Sequence, residues 1–234
     1  MHDETRRRVL LGAGATLLLA GCAKAGATGA KEPEGGGDEG EGEVSPPEDL
    51  MREHGVLNRI LLIYEESGRR LDAGQATPVE VVSSSADIIR RFIEQYHEKL
   101  EEDFLFPRFE KANTLVDLVA TLRRQHQAGR TLTDSISRLA TAAAVQRPDQ
   151  RKELVVSMGK FVRMYRPHEA REDTVLFPAF RRLVPHEEFE QLGDRFEDKE
   201  HELFGKEGFE GIVEKVGALE KQLGTYDLDT FTPT

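Results

Sequence analysis

One motif occurs twice, and it limits what the chain can become. His97 to Pro107 reads His-Glu-Lys-Leu-Glu-Glu-Asp-Phe-Leu-Phe-Pro, and His168 to Pro178 reads His-Glu-Ala-Arg-Glu-Asp-Thr-Val-Leu-Phe-Pro. Each copy sets a histidine four residues before a glutamate and ends in Leu-Phe-Pro. Four residues is one helical turn and a little more, so His97 and Glu101 share a helix face, as do His168 and Glu172. An imidazole and a carboxylate on one face, supplied twice, is a way for helical bundles to hold a pair of metal ions.

The repeat extends beyond the motif. His54 and His126 are separated by nearly the same stretch of chain as the two motif copies, and Arg-Glu-His-Gly at Arg52 to Gly55 has a loose counterpart in Arg-Gln-His-Gln at Arg124 to Gln127. A helical hairpin used twice, each giving a lone histidine and then a His-x-x-x-Glu pair, makes an antiparallel up-and-down four-helix bundle. Ser45-Pro46-Pro47-Glu48 and Thr77-Pro78-Val79-Glu80 carry the cap, proline and glutamate of a helix start. The first helix presents Leu50, Met51, His54, Leu57 and Leu61 on one stripe. The second presents Ile89, Ile93, His97, Leu100, Glu101 and Phe104, and ends at or just after Pro107. The third, from about Thr114 toward Ala144, presents Leu115, Val119, Leu122, His126, Ile136 and Leu139. The fourth follows Arg147-Pro148-Asp149 and presents Phe161, Met164, His168, Glu172 and Val175, with a kink expected at Pro167. Extra C-terminal helices follow, a short one after Pro185 and another over Ile212 to Leu223. The expected class is all-α.

A lone histidine in an apolar stripe is ordinarily a hydrogen-bonded core residue, and one His-x-x-x-Glu pair is ordinarily a surface pair. The set is different: four of the seven histidines and two glutamates fall on interior stripes at matching steps. Two unpaired core carboxylates would cost several kcal/mol, on the order of the burial penalty of an ion, and cations are the simplest compensation. Imidazole and carboxylate ligands without thiolate suit iron, manganese or zinc. Six protein ligands suit two ions, each held by two histidines, with Glu101 and Glu172 as bridges. Replacing Glu101 should therefore release metal, while replacing its neighbour Glu102 should do little.

At the N-terminus, Thr5-Arg6-Arg7-Arg8 runs into the apolar stretch Val9 to Ala20, and Leu19-Ala20-Gly21-Cys22 is similar to the lipobox of bacterial lipoproteins. Residues 1–21 read as a signal peptide, and Cys22, the single cysteine, as the lipidated residue. Residues 22–44, rich in glycine and glutamate, read as a flexible tether. Residues 45–224 read as the helical domain and 225–234 as an irregular tail. The chain is thus expected to be exported and held at the cell envelope, on the periplasmic or extracellular face, by its lipid. A net charge of −11 argues against nucleic acid as a partner.

Across about Glu48 to Phe180 the order His54, His97/Glu101, His126, His168/Glu172, with Glu101 to Pro107 and Glu172 to Pro178 as flanking text, resembles the hemerythrin-like HHE cation-binding group. The resemblance implies a four-helix bundle around two non-haem iron ions that binds or senses dioxygen or a related small ligand. The alternative it leaves is a di-iron enzyme acting on iron(II), peroxide or nitric oxide. The chain departs from the oxygen-carrying hemerythrins in two places: Arg130 stands where they have a second histidine on the third helix, and Glu172 where they have aspartate. His201 and His186 are expected to face solvent. Gly55 and Gly129 are expected to allow close helix approach or oxygen access, and Tyr64, Tyr96 and Tyr165 to be possible hydrogen-bond donors behind the ligands.

Overall fold

The computed structural model describes residues 45–233; the proposed signal peptide, Cys22 and the tether lie outside them. Everything described is helix or connecting turn. Helix α1 is Pro46–Asp72, and Ser45 opens it by donating its backbone N–H to the Glu48 carboxylate at 3.1 Å. Helix α2 spans 79–111, as α-helix over Val79–Ile88, Glu98–Leu100 and Phe106–Lys111 and wider π-helical turns over Ile89–His97 and Glu101–Leu105. Helix α3 is Val116–Leu139, and a single turn, α4, is Ala142–Val145. Helix α5 spans 148–183, through Pro148–Arg171, a π-helical turn at Glu172–Leu176 and Phe177–Leu183. Helices α6 (His186–Phe204) and α7 (Gly208–Leu223) complete the fold, with a last 3₁₀ turn at Leu228–Phe231.

Helices α1, α2, α3 and α5 form the bundle. Helix α5 packs on both α1 and α3, and α7 lies against α1 and α2. The core runs through Leu57, Ile60, Leu61 and Tyr64 of α1, Ile89, Phe92 and Ile93 of α2, Val119, Leu122 and Ile136 of α3, and Phe161 and Tyr165 of α5. No described helix is long and apolar enough to cross a membrane.

Several local expectations are corrected. Helix α3 starts at Val116, because Leu115 is its cap, in the left-handed region at φ 51°, and only half-buried. Pro167 lies inside the helical segment Pro148–Arg171 of α5. Helix α6 is 19 residues long, and only Leu192, Phe196 and Glu200 of it are buried, a stripe too thin to stand out in so charged a segment. The largest difference is a change of register in both motif copies. Phe104 and Val175 are only half-buried, while Leu105, Phe106, Leu176 and Phe177 are fully buried.

Pro107 and Pro178 supply the reason. Proline has no N–H to give the carbonyl four residues back, and in a regular helix its ring would press on that carbonyl. The chain widens ahead of it: the Phe106 N–H donates to the Glu101 carbonyl, five residues back, and the Phe177 N–H to that of Glu172. One extra residue in the turn brings the phenylalanine onto the buried face. Leu-Phe-Pro is therefore a device within the helix, which continues past it to Lys111 in one copy and Leu183 in the other.

Candidate metal centre

The six predicted residues meet in the middle of the bundle. His54, His97, His126 and His168 are at most 4% exposed, and Glu101 and Glu172 are 0% exposed. The Nε2 atoms turn inward onto the two carboxylates. His97 and His126 lie 3.9 and 3.4 Å from Glu101, and His54 and His168 lie 3.4 and 3.1 Å from Glu172. Each carboxylate thus reaches one imidazole of the ring pair His54/His97, whose centroids are 4.8 Å apart, and one of the pair His126/His168, 5.1 Å apart.

The Nδ1 atoms turn outward, and each finds an acceptor on another helix. His54 donates to Asp173 at 2.7 Å, His97 to Glu53 at 2.7 Å, His126 to Glu102 at 3.0 Å and His168 to the Gln125 side-chain oxygen at 2.9 Å. Fixing Nδ1 as the protonated nitrogen leaves Nε2 with a lone pair aimed at the centre, the state a cation needs. Phenylalanines close the site: Phe177 stacks on His54 at 5.6 Å and Phe106 on His126 at 5.5 Å.

The interior of this cluster is unsatisfied. Both carboxylate oxygens of Glu101, both of Glu172 and the Nε2 of His126 are buried without a hydrogen-bond partner. Buried polar groups in folded proteins are nearly always paired, so orphans gathered at one point mark a place where something binds. Carboxylate oxygens and imidazole nitrogens together suit a cation, and two sets of close-lying ligand atoms are present: Glu101, His126, His168 and Glu172, and His54, His97 and Glu101.

With protons alone the cluster is under tension. Burial and the neighbouring Glu172 push the Glu101 carboxyl above the ordinary carboxylate range. Burial also opposes ionisation of Glu172, but His168 and His54 outweigh it and hold that carboxyl well below its usual range. Burial and the adjacent His54 drive His97 well below the ordinary imidazole value. For His54 the burial effect is overcome by Asp173 and Glu172, which hold it well above that value.

Comparison with known proteins accords with this geometry. The Hemerythrin HHE cation binding domain matches residues 45–179, and a second match covers 117–233. The chain belongs to the hemerythrin HHE family. Uncharacterized protein Mb2018 of Mycobacterium bovis and uncharacterized protein Rv1995 of Mycobacterium tuberculosis are each 52% identical to it over 191 residues, covering 82% of this chain and 75% of theirs. No solved structure matches. Membership in a cation-binding family and the orphaned interior agree that these residues fit metal ions.

Sequence reasoning did not find the outer ring of this HHE site. Glu102 was expected to be dispensable, but it accepts from His126 and from Arg130 at 2.8 Å, and these contacts lower its carboxyl to about 2 against the opposing effect of burial. Arg130, in place of a second histidine, bridges Glu102 and the buried Glu98, each at 2.8 Å. Tyr165 donates to Glu98 at 2.6 Å and lies against His168, with ring centroids 5.3 Å apart. The Tyr96 hydroxyl reaches Glu200 of α6 at 3.4 Å, and the Tyr64 hydroxyl is buried without a partner. Gly129 does allow a close approach, by Tyr165, whereas Gly55 faces open space. His201 is exposed, and His186 is exposed beside Glu190. The signal legible in the sequence for Glu102 and Asp173 is the carboxylate that directly follows each ligand glutamate in both motif copies.

Proposed function

We propose that the chain is a non-haem di-iron protein that binds or senses dioxygen or a related small ligand. The observation that carries this reading is the convergence of four Nε2 atoms on two buried carboxylates that have no hydrogen-bond partner. His54 and His97 would hold one ion, His126 and His168 the other, with Glu101 and Glu172 shared between them. Two carboxylates leave a pair of divalent ions with positive charge to spare, and four imidazoles leave room for an external ligand. When bound, the metal pair supplies redox chemistry toward small oxidants, with manganese or zinc as other metals the donor set admits. The protein's own part is to orient each imidazole through its Nδ1 partner, to keep water away with Phe106 and Phe177, and to hold the carboxylates in a dry core.

A second reading, an enzyme turning over iron(II), peroxide or nitric oxide at this site, is favoured by Arg130. It is engaged with Glu98 and Glu102, so the third helix offers one imidazole where a carrier would offer two. Anaerobic iron loading of the purified chain followed by metal analysis tests both readings. Two irons per chain are expected, and fewer than one with the helical fold intact overturns them. A stable, reversible charge-transfer band on oxygenation then supports binding, and sustained consumption of peroxide or iron(II) supports the enzyme.

Localisation outside the cytoplasm through a lipid on Cys22 is part of the proposal, resting on Leu19-Ala20-Gly21-Cys22 and the basic, apolar run before it. The Cys22→Ser chain should leave the membrane fraction; equal membrane association of both chains would refute the anchor.

A further inference from the structure

The two hairpins agree so closely around the centre that their mismatches carry information. Glu102 on His126 corresponds to Asp173 on His54, a carboxylate in both halves. The residue preceding each lone histidine also takes an Nδ1–H, but here the halves differ: His97 donates to the carboxylate of Glu53, and His168 to the carboxamide of Gln125. Arg130 supplies a second difference. It lies 2.8 Å from both Glu98 and Glu102, on the side of His126. The position matching Glu98 is Glu169, buried beside His54, and its hydrogen-bond partner is the neutral Asn58.

The groups that accept the imidazole Nδ1–H therefore differ on the two sides. His54 and His97 give their Nδ1–H to the carboxyl groups of Asp173 and Glu53. Around His126 and His168 stand Glu98 and Glu102, bridged by a guanidinium, and an uncharged amide. A carboxylate accepting the Nδ1–H makes the opposite nitrogen a stronger donor to metal, and a carboxamide does so less. In a water-excluded core such differences are weakly screened.

Resting on the di-metal reading, we propose that the two cation positions are unequal: the His54/His97 position fills first and binds more tightly, and the Glu53/Gln125 difference sets the order. The bridging carboxylates lean slightly the other way, at 3.4 and 3.1 Å from His126 and His168 against 3.9 and 3.4 Å from His97 and His54. Half an ångström is a side-chain adjustment that a bound ion closes. The carboxyl group that Gln125 lacks is not recovered by movement.

Cobalt(II) added to the metal-free full chain provides the test, read by calorimetry and by anomalous diffraction at one equivalent. Two resolved steps are expected, with the first cobalt at His54/His97. Glu53→Gln should weaken the tighter step by about 10- to 100-fold, the usual effect of losing an outer partner of a ligating histidine. Gln125→Glu should tighten the weaker step. Two cobalts bound with equal occupancy, or the first at His126/His168, would overturn the order while leaving the di-metal reading standing. Fewer than one cobalt bound to the native chain would overturn both. If Glu53→Gln does not fold, as judged by circular dichroism, Gln125→Glu decides alone, and an unchanged weaker step refutes the proposal.

Discussion

Gly129→Ala and Gly55→Ala should move stability in opposite directions, although both replace a glycine inside a helix. In an exposed helix interior, alanine is favoured over glycine by about 1 kcal/mol. At Gly55 a new Cβ meets nothing within 4 Å, so that gain should appear nearly whole. For a folded unit of this size it corresponds to a rise of about 2–4 °C in Tm. At Gly129 the Cβ would lie 2.0 Å from the Tyr165 hydroxyl oxygen and 2.8 Å from the ring carbon bearing it. Ordinary contact begins at 3.4 Å, so the hydroxyl must retreat by well over an ångström. Tyr165 is 1% exposed and hemmed in by Phe161 at 4.3 Å and His168 at 5.3 Å. Overpacking of this kind costs about 1–3 kcal/mol. Losing the bond from Tyr165 to the buried Glu98 costs about 1–3 kcal/mol more. Set against about 1 kcal/mol of helix propensity, the centre of the net loss is about 3 kcal/mol, or roughly 6–12 °C in Tm. Thermal unfolding of the two full-length variants by circular dichroism measures the sign directly. Adding Tyr165→Phe to Gly129→Ala removes the nearest atom and should restore part of the loss. A Gly129→Ala chain that gains stability as Gly55→Ala does would refute the contact argument and the placement of Tyr165 behind His168.

Two further outcomes concern the site. Glu101→Ala should abolish binding of both ions, and Glu102→Ala should lower metal affinity by about 10- to 100-fold, the range for outer-shell partners, because it frees the His126 ring; metal analysis after dialysis separates these from a silent Glu102, which would contradict the site geometry. Burial pushes the Glu169 carboxyl up to about 8 from an ordinary 4.5. Because the folded value is the higher, its contribution is fully present below pH 4.5 and is lost as pH rises toward 8. The metal-free protein should therefore lose stability across that window, and Glu169→Gln should flatten the fall in Tm; an unchanged slope would show that Glu169 ionises normally.

The bundle and its six central residues were legible because each needs only spacing. The step from His97 to His168, nearly matched by that from His54 to His126, survives any error in helix ends, as does the one-turn step from each motif histidine to its glutamate. What sequence did not disclose depends on rotation and reach. Phe104 and Val175 look interior on a regular helix, and the wide turn ahead of each proline gives that role to Phe106 and Phe177. Glu53, Glu102 and Asp173 are three of 43 acidic residues, and pattern alone does not separate a carboxylate that holds an imidazole from one that faces water. Gln125 is harder still, since an amide beside a histidine carries no periodic signal at all.

The arrangement of those outer contacts explains why the motif had to occur twice. Neither copy completes its own half of the site. The α2 copy contributes His97 and Glu101, then spends Glu102 and Phe106 on His126 of α3. The α5 copy contributes His168 and Glu172, then spends Asp173 and Phe177 on His54 of α1. In return, α1 supplies Glu53 to His97 of α2, and α3 supplies Gln125 to His168 of α5. All four imidazole contacts therefore cross between helices and form a closed ring, α1 to α2 to α3 to α5 and back to α1. A helix that shifts along the bundle disturbs two of these contacts at once. Positioning of the imidazoles and packing of the four helices are in this way one constraint, and the prolines at 107 and 178 bear on it by turning the phenylalanines and acids to the faces where the ring can close.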